Sequence, residues 1–379
     1  QEVAYESLPF GRRAILHDRI GQHIENKNAD HIEQFIGLLA HHFDLSTNNA
    51  KKREYLLKAG KASYTSYANE AAIDYFQRVI PLLEPDEQVD VRMDLGKVYE
   101  RVGDWDDAEN EYKLVLEHTT NTGDQLALAW CQTALSELHR KQGQYDTASM
   151  WLDLARVTFE ELDNSRGIGQ VLHNGGTLAA QQGDFDRALD LYQDSLEIRR
   201  QQQDNANIGS LLSNMGVIAG YRSDYQAAYD LYKESLEIRR AVGDKWAIAI
   251  SLSNLGNTAL AMENYAEARD RLEEALALQR EVGDRWYTGN VLNNLANAYR
   301  AAGEHEKACQ LYKESFLIYQ DLGDKWALAF LLEDFGSLMC MRNKPGYALN
   351  FIAAASSLRE QIGSPLPPSA RDKLDGFIN

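Results

Sequence analysis

Proline is what this sequence has least of. Only 7 of 379 residues are proline, and none falls between Pro85 and Pro345, whereas soluble proteins average roughly one in twenty. A stretch that long without the residue that breaks helix interiors points to continuous helix. Cysteine is also sparse: Cys131, Cys309 and Cys340 lie far apart and none sits in a CxxC pair. Such an odd, scattered set argues against a disulfide framework and fits buried apolar thiols in a reducing, cytoplasmic compartment. Long apolar runs are missing. The longest uncharged stretches, 205–221 and 246–262, contain Asn, Ser and Gly and are too short to span a bilayer; nothing at the N-terminus reads as a signal peptide. Positive charge is in deficit, with 39 Lys and Arg against 57 Asp and Glu and a net charge of −18. That argues against a nucleic-acid or membrane-surface partner, since both need a cationic face. The apolar share of 44% and charged share of 25% are those of an ordinary globular protein, long enough for two or three domains. The chain opens on Gln1 rather than Met, which reads as a piece of something longer.

Catalytic signals are lacking too. There is no GxxxxGK[ST] phosphate loop and no HExxH. Asp104, Asp106, Asp107 and Glu109 cluster, but no glycine stands where a calcium loop must turn, so they read as a solvated helix start. Gly167 and Gly169 follow no strand and carry no dinucleotide signal. His41 and His42 are neighbours, and on a helix neighbours point about 100° apart; with His31 they make at best a loose set. No metal, no cofactor and no enzymatic activity are expected.

What the sequence does have is a repeat. Residues 190–200 recur at 230–240 with only Gln193 exchanged for Lys233 and Asp194 for Glu234. One alanine marks the register at 108, 148, 188, 228, 268, 308 and 348, always 40 apart, and Ala72 precedes them by 36. Seven repeats thus fill 83–362, with one shorter repeat ahead. Within 243–282, Asp244 can cap a helix N-terminus. Leu252, Leu255 and Ala259 then share one face, Met262-Glu263-Asn264 turns the chain, and a second helix from Tyr265 carries Ala268, Leu272 and Ala275 inward. Gly283 ends it and Asp284 caps the next. Gly256, Ala268 and Ala275 let the pair approach closely, and neither helix can bury its stripe alone, so the repeats must stack.

The residues Leu255, Gly256, Tyr265, Ala268 and Ala275, with Gly96, Tyr99, Gly103, Trp105, Ala108 and Tyr112 earlier, resemble the tetratricopeptide (TPR) pattern. The 40-residue unit, with Gly-Asp-Lys/Arg at each junction and Asn254-Leu255-Gly256-Asn257 in a first helix, is similar to the variant of Pins/LGN-type scaffolds. The resemblance implies an all-α, right-handed superhelical solenoid of stacked TPR helix pairs, its concave wall lined by first helices and suited to peptides or proteins. Strings at 4–8, 12–20, 39–43 and 55–60 read as helices and resemble the segment joining core and arm in bacterial STAND-type signalling ATPases. The expected organisation is an N-terminal helical segment at 1–47, a TPR array of about eight repeats at 48–362, and a Pro-rich stop with a short capping helix at 363–379.

The concave stripe carries the functional reading. In one repeat it holds Ile250, Ser253, Asn254, Asn257 and Ala261; in the next, Asn290, Asn293, Asn294, Asn297 and Ala301. Asn174, Asn214, Asn254 and Asn294 form a ladder at the 40-residue step. Asn costs up to ~0.7 kcal/mol relative to Ala in a helix, so solvation alone explains these positions poorly. Binding an extended peptide is the leading reading and bridging between repeats the second. An amide offers both donor and acceptor to a peptide backbone. First helices about 8–10 Å apart would meet an extended chain at about every third residue. Tyr221, Phe330, Glu333 and Asp334 flank the asparagines, and the two acids suit a ligand with a basic end. Gln181, Tyr221 and Ala261 occupy the places where some TPR proteins clamp a terminal carboxylate, so that capture is not matched. Trp246, Trp286 and Trp326 read as packing of each helix start on the preceding helix end, and Arg199, Arg200, Arg239 and Arg240 as ion-paired surface. The resulting function is a non-catalytic protein-interaction module, the sensor or partner arm of a bacterial multidomain signalling protein, whose partner could include other domains of the same full-length chain. The alternative is a small-molecule effector arm of a STAND-type ATPase or cyclase regulator.

Overall fold

The computed structural model describes residues 8–363, and among these every regular element is helical. The chain divides into two compact units, Gln1–Leu178 and Ala179–Asn379. The first contains α1 (Phe10–Lys27), a 3-10 segment (Ala29–Phe35), α2 (Ile36–Asp44), α3 (Asn49–Thr65), α4 (Asn69–Val79), α5 (Pro85–Val102), α6 (Trp105–Thr122), α7 (Gln125–Lys141) and α8 (Tyr145–Glu161). The division falls inside α9 (Ser165–Gln181). The second contains α10 (Phe185–Gln201), α11 (Asn205–Tyr221), α12 (Tyr225–Val242), α13 (Lys245–Ala261), α14 (Tyr265–Val282), α15 (Arg285–Ala301), α16 (His305–Leu322), α17 (Lys325–Met341) and α18 (Pro345–Gln361). The strings at 12–20, 39–43 and 55–60 fall inside α1, α2 and α3. The expected capping helix at 369–379 and all but the last residue of the string at 4–8 lie outside the described residues.

Within each unit the helices pack as consecutive pairs, and second helices such as α6, α12, α14 and α16 also meet the first helix of the next repeat. The local chemistry follows the repeat. Asp244, Asp284 and Asp324 each accept a bond from the backbone N–H three residues on, at 2.9–3.1 Å, satisfying a donor that has no partner within the helix. Gly283, with φ at +81°, ends α14 in the left-handed region that glycine enters without a Cβ penalty. Leu252, Leu255, Ala259, Ala268, Leu272 and Ala275 are each at most 1% exposed. A Cβ on Gly256 would stand 2.5 Å from Leu272 Cγ and 3.2 Å from the Ala268 carbonyl oxygen, so glycine is what lets α13 and α14 touch. In the first unit Leu39 and Phe43 share one core with Tyr55, Phe76, Leu95 and Tyr112; α2 is thus packed into the same body as the first repeats.

Ties between repeats recur at fixed steps. Arg200 pairs with Glu234, Arg240 with Glu274 and Arg280 with Glu314, all exposed pairs worth about 0–1 kcal/mol each. Arg199 and Arg239, expected on the surface, are instead buried at 1% and 8% exposure. Arg199 pairs with Asp204 at 3.1 Å, and Arg239 donates to the Ala247 carbonyl at 3.0 Å and to Ser251 Oγ at 2.9 Å. The physical reason is phase: Tyr192, Leu196 and Arg199 lie at i, i+4, i+7 on the inward stripe. Two of the three tryptophans also reach forward, while Trp326 lies against Phe330 of its own helix, ring centroids 4.5 Å apart. Trp246 Nε1 donates to Asp284 at 3.1 Å and Trp286 Nε1 to Asp324 at 2.7 Å, so each holds the capping aspartate of the following repeat.

Candidate functional site

In the second unit the asparagine stripe lies on the first helices, all half-buried at positions 214, 254, 257, 290, 293, 294 and 297. Several amides are already engaged. Asn254 reaches Ser213 Oγ one repeat back at 3.4 Å. Asn293 and Asn297 both donate to Asp334 of the next first helix, at 3.0 and 2.9 Å, with Arg300 3.7 Å from the same carboxylate. Asn297 Oδ1 accepts from the buried Tyr312 hydroxyl at 2.6 Å and from Arg300 at 2.9 Å; burial pushes the Tyr312 hydroxyl well above its ordinary pKa. The bonds to Ser213 and Asp334 have the geometry of bridging between repeats, while those of Asn297 to Tyr312 and Arg300 stay within one repeat. Asn294 makes a looser contact, donating to Asn290 of its own helix at 3.2 Å. The Asn293 amide oxygen is buried without a partner among the described residues.

The acids beside the stripe are compensated. The Arg359 guanidinium, only 4% exposed, meets Glu333 through two bonds at 2.5 and 2.9 Å and lies 4.3 Å from the centre of the Phe330 ring. Asp334 is bonded by Asn293 and Asn297 and lies 3.7 Å from Arg300, so both carboxylates already have a cation beside them. Tyr221 is 73% exposed and stacks on Phe185 with centroids 5.7 Å apart.

In the first unit the same register builds a cleft of about 680 Å³. Subtracting 120 and 160 from the stripe at 250, 253, 254 and 257 gives Trp130, Thr133, Ala134 and Glu137 on α7, and Asp90, Met93, Asp94 and Lys97 on α5; all eight line the cleft. Gln170, Asn174 and Arg166 of α9 and Lys61 of α3 also line it, and Gln170 donates to Asn174 Oδ1 at 2.9 Å. Thus Asn174 lines this cleft, while its cleft neighbours on α5 and α7 were missed; the available signal was the 40-residue step carried back past residue 170. Trp130 sits edge-on to Phe159 at 5.0 Å, with the Arg166 guanidinium 5.9 Å from its ring. Burial raises the Asp94 carboxyl above its usual range despite Lys97 beside it. Glu137 is half-buried, and its desolvation alone would raise it, but Arg140, bonded at 2.6 and 2.9 Å, holds it below that range. The cleft therefore offers an apolar floor from Met93 and Trp130 beside charges of both signs.

A tetratricopeptide repeat profile matches residues 88–156, 137–201, 207–281 and 287–361, a second such profile matches 253–315, and a profile of anaphase-promoting complex subunit 5 matches 20–82. The regulatory protein RapG of Bacillus subtilis is 26% identical over 200 residues, 52% of this chain and 53% of RapG. A signal transduction ATPase with numerous domains (STAND) carrying a tetratricopeptide repeat sensor, from Pyrococcus horikoshii, superposes with a TM-score of 0.66 at 14% identity, covering 97% of this chain and 55% of that one. This chain thus spans about half the length of each of these two proteins. A Rap protein complexed with competence and sporulation factor superposes with a TM-score of 0.62 at 15% identity, covering 94% of this chain and 99% of that one. The structural likenesses establish the fold, and the repeat profiles, which together cover well over half the residues, establish the family: the chain belongs to the tetratricopeptide repeat proteins.

Proposed function

We propose that this chain is a non-catalytic interaction module that binds an extended peptide or partner segment on its inner wall, as the sensor or partner arm of a larger bacterial, cytoplasmic signalling protein. The observation that carries the reading is the first-unit cleft, where Trp130 and Met93 offer an apolar anchor site and Asp94, Lys97 and Arg166 offer charges. An anchor side chain would occupy the apolar floor while the ligand backbone meets amides such as Asn174. In the second unit Asn214, Asn254, Asn257, Asn290 and Asn294 are the groups proposed to meet ligand, with Tyr221 and Phe330 as apolar neighbours. Asn293 and Asn297 take part through Asp334, and Glu333 through Arg359. A basic ligand end is not needed by this reading, because both acids already have partners. The Rap protein solved with competence and sporulation factor, and the STAND protein with its repeat sensor, support the direction.

A small-molecule effector is the second reading, favoured by the cleft volume, which lies within the usual range for such sites of about 300–1,000 Å³. A random linear-peptide library selected on the tag-free chain separates the two. The peptide reading expects enriched sequences that bind saturably and weaken roughly tenfold or more in Trp130→Ala, as anchor positions do. Failure to enrich any linear peptide, with a metabolite library shifting the melting temperature of the wild type but not of Trp130→Ala, would give the site to the effector reading.

A further inference from the structure

Sequence spacing sets His41 and His42 about 100° apart on one helix and offers His31 as a third member. The fold supplies a different third. His31 lies in the 3-10 segment, while His17 of α1 comes into the angle between His41 and His42 of α2. Its ring centroid is 5.1 Å from that of His42 and 6.0 Å from that of His41, and His41 and His42 are 5.3 Å apart. Gly21, one turn after His17, sets this approach: a Cβ there would stand 2.8 Å from Phe43 Cζ, so α1 can lie down on α2 only because the side chain is missing. His17 is 7% exposed, His42 is half-buried and His41 faces solvent.

We propose that His17, His41 and His42 bind a divalent ion of the Zn²⁺ type at the junction of α1 and α2, with the remaining coordination position left to water. One nitrogen from each ring lies within 4.8 Å of the other two. Zinc–nitrogen bonds of about 2.0–2.1 Å in tetrahedral geometry put ligand nitrogens about 3.3 Å apart, a contraction that side-chain rotation of the exposed His41 and the half-buried His42 can supply. Imidazole is a fitting donor for zinc and its neighbours in the first transition row. The Nδ1 atoms of His17 and His42 are already 2.8 Å apart, a contact that two imidazolium cations cannot make. Burial and the neighbouring imidazoles lower the pKa of both His17 and His42, which favours the neutral form that ligates metal. The bound ion would clip α1 to α2 and so fasten the first helix to the core shared by α2, α3 and the first repeats.

The test is a calorimetric titration of the metal-stripped, tag-free chain with Zn²⁺, repeated with Co²⁺ for its visible spectrum. One saturable equivalent, a tetrahedral-type cobalt spectrum and a zinc-dependent rise in melting temperature are expected. His41→Ala removes a solvent-facing ring, so its metal-free melting temperature should match the wild type while its zinc affinity falls roughly tenfold or more, a loss at least as large as that from disturbing outer-shell partners. His17→Gln provides the second variant. Absence of saturable binding in the wild type overturns the proposal, as does zinc binding that both variants leave unchanged. In either case the histidines are a packing contact.

Discussion

The inner walls of the two units are built on one scaffold and lined with different chemistry. The register alanines at 108, 148, 188, 228, 268, 308 and 348 are all at most 2% exposed, and the glycines at 96 and 256 admit a facing side chain in the same way in both units. Over that constant packing, the stripe positions read Asp90, Met93, Asp94 and Lys97 and then Trp130, Thr133, Ala134 and Glu137 in the first unit. In the second they read Ile250, Ser253, Asn254 and Asn257 and then four asparagines. Packing constrains only the residues between helices. Most stripe positions stay partly exposed and can change from one repeat to the next while the fold stays the same, and the proposed recognition uses that freedom.

The comparison breaks most visibly where a stripe residue has become structural. Arg359→Ala should cost about 3 kcal/mol, because it leaves Glu333 half-buried and uncompensated; urea denaturation measures it. Pairing it with Glu333→Leu should recover much of the loss. A neutral Arg359→Ala would return Glu333 to the list of groups available for ligand.

The next test asks whether the scaffold really is common to both units. Gly96→Ala and Gly256→Ala should each destabilise by about 1–3 kcal/mol through overpacking against Tyr112 and Leu272, despite the better helix propensity of alanine. A large loss at one site and a gain at the other would show that the two walls are packed differently. Asn297→Ala should follow at about 1–2 kcal/mol, since the buried Tyr312 hydroxyl and the Asp334 carboxylate both lose a partner. Smaller again is the turn position. Glu263 holds φ at +60° where the following junction has Gly283, so Glu263→Gly should stabilise by up to about 1 kcal/mol and Gly283→Ala should destabilise by about as much. Thermal melts of the pair check the sign.

The repeat made most of the fold legible. Periodic alanines, capping aspartates and the terminal glycines report local geometry that the sequence states directly, and the helices at 245–261 and 265–282 start and stop where those signals place them. Arg199 and Arg239 were misjudged because charge outweighed phase in the reading, although both sit in register with buried tyrosines. The cleft was half legible: Asn174 stood out by residue type, whereas Trp130, Asp94 and Glu137 are ordinary residues made notable only by position. Of the histidine cluster only His41 and His42 were legible; His17 was not, since it lies 25 residues from His42 and meets it only through the crossing of α1 on α2. Local pattern does not encode that crossing; the close approach at Gly21 and Phe43 does.

The smallest stability effect carries the sharpest functional question. Asn294 sits on the 40-residue ladder, but among the described residues its side chain bonds at 3.2 Å to Asn290 of the same helix, so it resembles neither Asn293 nor Asn297 in what it holds together. Asn294→Ala should leave stability unchanged or raise it by a few tenths of a kcal/mol, because Ala is the better helix former. If the amide meets a ligand backbone, the same variant should lose about 1–3 kcal/mol of affinity for a selected peptide that engages the second unit, through the ligand group left unpaired. Asn297→Ala provides the contrast, with a loss of stability and binding that follows only as the fold weakens. A melting temperature several degrees lower for Asn294→Ala, with peptide affinity intact, would make Asn294 a bridging residue like its neighbours and confine recognition to the cleft around Trp130.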